Sequence, residues 1–465
     1  MTRIHLIGIG GTGLSAIARV LLEMGHTVSG SDRAESPFTR DLQSAGVTIS
    51  IGHRPENVRG ADLVLRSSAI PDDNVEVTAA RALRIPVLKR AEFLGSLMDG
   101  KIGIAIAGTH GKTTTTSMIA WMLSVLGQDP SFIVGGVLAN LGVNARAGKG
   151  NIFVIEADEY DRMFLGLKPT IEVVTNIEHD HPDCYPTVAD FQAAFVEFMV
   201  HLPADGTLVA CADDPGARGL MDKAEKLGKA VIPYGLRPTT EAGQALDVYA
   251  SLLAPNEKGG STFSASVLGN AAIVELQVPG KHNVLNALAA LTVTQLLDLS
   301  FTDAALALGQ FTGTGRRFEV RGEANGIVII DDYAHHPTEI RSTLAAARSR
   351  YPSRRIWAVW QPHTYSRTQA LFNEFSTAFA DADEVIVTEI YPAREPKQDF
   401  SSRQIVEAMP RPAHFIAGLP EVSNYLMKNL RPGDALLVLS AGDADQISTE
   451  VLTHLMETSS NGFSR

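Results

Sequence analysis

Residues Ile102-Gly-Ile-Ala-Ile-Ala-Gly-Thr-His-Gly-Lys-Thr-Thr-Thr-Thr116 decide the fold of this chain. The apolar run Ile102–Ala107 predicts a buried strand that enters a glycine turn, with a helix expected from Ser117 onward. Backbone N–H groups at a helix start have no intrahelical partner and point outward, so they suit a phosphate. Lys112 adds a cation, and Thr113 a hydroxyl of the kind that meets Mg²⁺ in such loops. The spacing departs from G-x-x-x-x-G-K-[ST], because Ile106 stands where the first glycine would be. The stretch reads as the triphosphate cradle of an ATP-using enzyme, with Gly108, Thr109, Gly111, Lys112, Thr113 and Thr114 around the phosphates. The blander alternative is a strand-to-helix turn with a polar cap.

The chain has 465 residues, enough for about three domains, and 45% of them are hydrophobic, enough to fill several cores. A net charge of -12 argues against general nucleic-acid binding and requires that cations for phosphorylated substrates be placed locally. Two cysteines, Cys184 and Cys211, cannot form a disulfide framework and suit a reducing compartment. The first residues reach glycine too soon for a signal segment, and no run of about 18 apolar residues occurs, so a soluble, cytoplasmic protein without membrane insertion is expected. The tail 459–465 reads as frayed. No interface signature fixes an oligomeric state.

Three segments follow one another. The first carries a strand at Ile4–Ile9, then Gly8-Ile-Gly-Gly-Thr-Gly13, a helix over Leu14–Met24, and a short strand ending in Asp32. Gly8, Gly10 and Gly13 with Asp32 have the spacing of a dinucleotide fingerprint, in which the acid meets a ribose hydroxyl. Taken alone, that motif suggests an NAD-dependent oxidoreductase, or merely a strand packed on a helix. The oxidoreductase reading leaves Lys112 and the later acids unexplained. A further strand over Ala61–Ile70 ends at a polar crevice.

In the second segment, Asn151–Asp161 is a strand that runs into a group of acids, and Val173–His181 repeats that shape and ends with His179 and His181. Both bring ligands to the carboxyl edge of the sheet, where open α/β sheets bind. Oxygen ligands suit Mg²⁺, whereas a histidine is less typical and keeps zinc open as an alternative. The acids also admit a plain solvated loop. On the helix Gly280–Ala290, Asn283 and Asn286 share a face and can hold a nucleotide base or ribose. In the third segment, strands at Ile327–Asp332, Arg355–Gln361, Glu384–Thr388 and Asp434–Gly442 alternate with helices, which predicts a parallel sheet covered on both faces. Asp332, His335, His363 and Arg367 recur at its strand ends.

With Gly108–Thr116, Glu156-Ala-Asp-Glu159, Thr175–His181, His282-Asn-Val-Leu-Asn286, Arg316-Arg-Phe318 and Asp332–Pro337 in this order, the chain resembles the Mur ligases over nearly its whole length. These are ATP-dependent amide-bond-forming enzymes of peptidoglycan synthesis. The resemblance implies an α/β protein of three domains: a Rossmann-like UDP-sugar-binding domain over 1–98, a P-loop-type ATP-binding domain over 99–314, and a Rossmann-like amino-acid-binding domain over 315–465. Gly8–Ser15, Ser29–Asp32 and Pro362–Thr368 are similar to the branch that joins L-alanine to the lactyl carboxylate of UDP-N-acetylmuramate through an acyl phosphate. Two departures stand out. Tyr160 replaces a serine of many such relatives, a form familiar from the tripeptide-recycling branch, and Thr364 replaces an arginine. The intact first glycine loop and Pro362–Arg367 oppose the recycling alternative. The intact Lys112, Thr113, Glu156 and His181 oppose a non-catalytic nucleotide-binding module.

The resemblance also implies roles. Lys112 would hold the β/γ-phosphates, His110 would donate to the incoming anion, Thr113 and Glu156 would hold one Mg²⁺, and His181 a second metal. Asn283 and Asn286 would fix the base and ribose, while Arg317 and Asp332 would reach the nucleotide on domain closure. Tyr333, His335, His363 and Arg367 would meet the amino acid, Arg367 at its carboxylate. Gly10, Gly11, Thr12, Gly13, Asp32, His53, Ser67 and Ser68 would hold the UDP end.

Overall fold

Short apolar runs alternating with helices build three sheets in the computed structural model, which describes residues 1–462. The first sheet contains β1 (Arg3–Ile7), β2 (Thr27–Asp32), β3 (Thr48–Ile51), β4 (Leu63–Arg66) and β5 (Val87–Lys89), all parallel, in the order β3-β2-β1-β4-β5. The second holds β6 (Ile102–Ala107), β7 (Ser131–Leu138), β8 (Val143–Arg146), β9 (Ile152–Glu156), β10 (Ile171–Val174), β11 (Thr207–Cys211), β12 (Ala230–Gly235), β13 (Val248–Pro255), β14 (Ser261–Val267) and β15 (Asn270–Glu275). Its order is β15-β14-β13-β12-β11-β10-β6-β9-β7-β8, with antiparallel pairs only at the two ends. The third joins β16 (Glu319–Ala324), β17 (Ile327–Asp332), β18 (Arg355–Gln361), β19 (Glu384–Val387), β20 (His414–Phe415) and β21 (Asp434–Ser440) in the order β16-β17-β21-β18-β19-β20.

The phosphate-loop strand β6 lies between β9 and β10, with Ile106 level with Glu156 and Ala107 level with Val174. Three neighbouring carboxyl ends therefore release their loops into one crevice. The strands stop earlier than their sequences suggest: β1 ends at Ile7, β4 at Arg66, β9 at Glu156 and β10 at Val174. In each case the chain leaves the sheet as its polar residues reach the open edge.

The helix after the loop also differs from expectation. It starts at Lys112, not Ser117, because Gly111 adopts a left-handed φ of 82° and caps it. The four threonines Thr113–Thr116 sit inside its first turns, and Thr116 Oγ1 donates to the Lys112 carbonyl at 2.8 Å.

One apolar cluster runs from the helix Thr12–Glu23 through Phe93, Leu94, Leu97 and Met98 to Phe164 and Phe195, so the first two sheets share a core. The third sheet differs. Its two faces are filled by Ile330, Trp360 and Phe375 on one side and by Ile329, Val438 and Ile447 on the other, and neither cluster includes a residue from the first two sheets. The tail expected to fray continues as the helix Asp445–Gly462, and 463–465 lie outside the described residues. Among the described residues no helix is long and apolar enough to cross a membrane.

Candidate active site

Lys112 stands at the centre. Its Nζ donates to the Gly108 and Thr109 carbonyls at 2.5 and 3.1 Å and lies 2.8 Å from Glu159 Oε2. Burial opposes the charge, but Glu159, Glu156 and Asp158 outweigh it and hold the ammonium above its ordinary range. Thr113 Oγ1 donates to Glu156 Oε1 at 3.0 Å, and the Gly135 N–H donates to Glu156 Oε2 at 2.7 Å. Burial still pushes Glu156 up. A hydroxyl and a buried carboxylate converging in this way form an all-oxygen pair suited to a hard cation such as Mg²⁺.

His181, at a φ of 54°, approaches Glu159 Oε1 at 3.5 Å, not Glu156. Glu159, an acid in the quoted motif to which the sequence assigned no role, thus joins His181 to Lys112, while Thr113 and Glu156 pair separately. His179 turns away, with Nε2 2.8 Å from the Tyr185 carbonyl.

His110 faces two acids, Glu178 Oε2 at 3.0 Å from Nε2 and Glu339 Oε1 at 3.2 Å from Nδ1. Burial works against its charge, yet Glu178 and Glu339 raise its pKa to about 9. His110, Glu178 and His336 also bring ligand atoms within 4.8 Å of one another. A doubly protonated imidazole has no lone pair for a metal, so this group serves better as an anion donor. Glu339 and Thr338 belong to the third sheet's helix Pro337–Arg350, and Thr338 Oγ1 donates to Glu178 Oε1 at 2.8 Å.

Beside the loop opens a cleft lined by Gly111, Asn283, Asn286, Arg317, Asp332 and Thr338. Asn286 donates to Asn283 Oδ1 at 3.1 Å, which leaves the pair on one helix face as expected. Arg317 Nη1 lies 3.6 Å from Glu339 Oε1, with its guanidinium carbon 5.2 Å from the Tyr333 ring centre. Asp332 accepts the N–H groups of Phe318 and Ala334 at 2.8 Å each, and burial pushes it up to about 6.

The amino-acid group is gathered nearby. His335 and His363 have ring centres 5.9 Å apart, and burial lowers them to about 3 and about 4. Arg367 makes a buried two-point contact with Asp180, Nε–Oδ1 2.8 Å and Nη2–Oδ2 3.2 Å, and its Nη1 lies 3.2 Å from His363 Nδ1. Asp180 lies within the quoted motif Thr175–His181, but the sequence assigned it no partner.

In the first sheet, the Gly10 N–H donates to Asp32 Oδ2 at 2.8 Å and the Arg33 N–H to Oδ1 at 2.7 Å, so this acid also braces its own loop. His53 Nδ1 meets Ser31 Oγ at 3.0 Å above the buried Glu76. Gly11 and Thr12 start the helix, while Ser67 and Ser68 follow β4. Arg90 lies across Gly13, where an added Cβ would fall 1.6 Å from Nη1, and its Nη2 reaches Asp158 Oδ2 at 3.1 Å. It ties the glycine loop to the acidic loop of the second sheet, a role no motif signalled.

Comparison with known proteins bears on this arrangement. Three family models match in order: Mur ligase family, catalytic domain, over 3–102; Mur ligase middle domain, over 106–294; and Mur ligase, glutamate ligase domain, over 316–442. The UDP-N-acetylmuramate–L-alanine ligase of Geobacter sp. (strain M21) is 44% identical across 97% of each chain. That of Salinibacter ruber is 43% identical, covering 98% of this chain and 95% of its own. The solved UDP-N-acetylmuramate–alanine ligase of Thermotoga maritima aligns with a TM-score of 0.82 at 28% identity, covering 98% of this chain and 100% of its own. A murein peptide ligase of Psychrobacter arcticus, also 28% identical, aligns at 0.72 over 98% and 99%.

Proposed function

Because the chain belongs to the Mur ligase family, we propose that it joins L-alanine to the lactyl carboxylate of UDP-N-acetylmuramate, with ATP converted to ADP and phosphate, in peptidoglycan precursor synthesis. Near-full-length identity of 44% to relatives named for that activity carries the assignment over the tripeptide-recycling alternative, and the TM-score of 0.82 against 0.72 for a murein peptide ligase supports the same choice. A cytoplasmic location forms part of the same proposal.

A carboxylate is a poor acyl donor, so the lactyl carboxylate oxygen attacks the γ-phosphorus and ADP leaves. The amine of alanine then attacks the acyl carbon, loses a proton, and phosphate departs. Lys112 neutralises charge on the β- and γ-phosphates, and His110, held cationic by two acids, donates to the transferring group. Thr113 and Glu156 would hold a Mg²⁺, with His181 beside a second, and the metal supplies further charge neutralisation on the phosphates. Asn283 and Asn286 hold base and ribose, Arg317 and Asp332 close over the nucleotide, and Gly10–Gly13, Asp32, His53, Ser67 and Ser68 hold the UDP end. Tyr333, His335, His363 and Arg367 shape the amino-acid end. Most of the acceleration then comes from positioning.

The direct test supplies ATP, Mg²⁺ and UDP-N-acetylmuramate and compares phosphate release with L-alanine, other amino acids and a tripeptide. Release stimulated by L-alanine above the rest is expected. Release stimulated only by the tripeptide would overturn the assignment.

A further inference from the structure

At the amino-acid end, the guanidinium of Arg367 is already engaged on three sides. Asp180 takes Nε and Nη2, and His363 faces Nη1. Thr364, at a left-handed φ of 67°, brings no charge. Arg394 is different. Its guanidinium carbon lies 4.1 Å from the centre of the Tyr160 ring, and among the described residues no hydrogen bond or ion pair claims its nitrogens.

Although Arg394 is exposed, its backbone is held. The Tyr391 N–H donates to the Pro362 carbonyl at 2.8 Å, and the Thr364 N–H donates to the Tyr391 carbonyl at 2.9 Å. Tyr391 stacks on His363 at 5.8 Å. The neighbouring Glu395 accepts from the Tyr365 and Ser366 N–H groups at 2.5 and 3.1 Å, so its charge serves the start of the helix Tyr365–Ala370. Tyr160 is fixed too, its hydroxyl donating to Asp183 Oδ2 at 3.0 Å. The Tyr160 and His181 rings meet in a T-shaped contact with centres 5.0 Å apart, and His181 is the histidine that reaches Glu159 beside Lys112. Tyr160 therefore separates the phosphate end of the site from an available cation.

We propose that Arg394 receives the carboxylate of the incoming amino acid, that the face of Tyr160 holds that guanidinium in place, and that Arg367 is a positioning residue acting through Asp180. This rests on the ligase reading above. A carboxylate bound there directs the α-amine across Tyr160 toward His181, where the acyl phosphate forms. A cation on a ring face keeps its N–H edge free for a two-point contact with a carboxylate.

Steady-state kinetics on the full-length enzyme with L-alanine and with L-alaninamide, which keeps the amine but lacks the charge, test the assignment. Arg394→Gln is expected to raise the KM for L-alanine about 10- to 100-fold. The KM values for L-alaninamide, ATP and UDP-N-acetylmuramate should stay at wild-type levels, so preference for the acid over the amide collapses. Arg394→Lys should restore part of that preference, and Tyr160→Ser should raise the L-alanine KM. An active Arg394→Gln variant with unchanged L-alanine KM and undiminished preference overturns the assignment alone. A wild-type enzyme inert toward every amino acid overturns the ligase reading and this assignment with it.

Discussion

Lys112 draws its charge from three acids, Glu159, Glu156 and Asp158, at a buried position where a lone ammonium would give up its proton. Lys112→Ala is expected to abolish ligation while circular dichroism and thermal unfolding show a folded chain, because His181 still faces Glu159. Normal turnover by the folded variant would remove Lys112 from the phosphate site. His110 offers a pH test. Its folded pKa of about 9 lies above the ordinary 6.5, so its contribution to stability is complete below about 6.5 and disappears as pH rises through about 9. His110→Gln should flatten the stability profile across that window, read from urea midpoints at several pH values. A wild-type slope that survives in the variant would sink the idea. Lys112, Thr113 and the two asparagines were legible because each lies within a short motif. The acids that charge His110 were harder to see, since Glu339 pairs across the fold and no local pattern marks it.

Among the elements, the loop-to-helix junction is the most constrained. Gly111 holds a φ of 82°, and an added Cβ would stand 2.7 Å from Asn286 Oδ1. Gly111→Ala should cost about 1–2 kcal/mol from the backbone alone and weaken ATP binding by displacing Asn286, measured by urea unfolding and nucleotide titration. An unchanged ATP affinity would separate the asparagine pair from the nucleotide. At the other glycine loop, the side chain of Arg90 lies over Gly13. Gly13→Ala should raise the KM for UDP-N-acetylmuramate and leave that for ATP unchanged, and equal shifts in both would argue for general misfolding. Strands were easy to read because β6, β17, β18 and β21 are long apolar runs. The helix start was not. Threonine's weak helix propensity masked five residues that a left-handed glycine cap forces into the helix.

At the scale of the molecule, the first two sheets share apolar packing, whereas the third meets them through polar contacts: His110–Glu339, Glu178–Thr338 and Asp180–Arg367. The three-sheet order followed from motif order, but this asymmetry between the joints did not, because Asp180 and Arg367 are 187 residues apart. Arg367→Ala removes the cation from a buried carboxylate, and the cheapest relief for Asp180 is to regain water. The expected outcome is a looser third unit, seen as a larger radius of gyration in X-ray scattering, while its own two cores unfold at nearly the wild-type temperature. Unchanged dimensions would show that the pair does not hold the units together.

A joint of this kind can part without baring an oily face. Each cycle of opening exposes groups that water already favours, so repeated turnover carries little risk of clumping with neighbouring copies. Because the joint's charge pairs are shielded from solvent, dissolved ions reach them little while it is shut, so ordinary changes in salt should leave it closed.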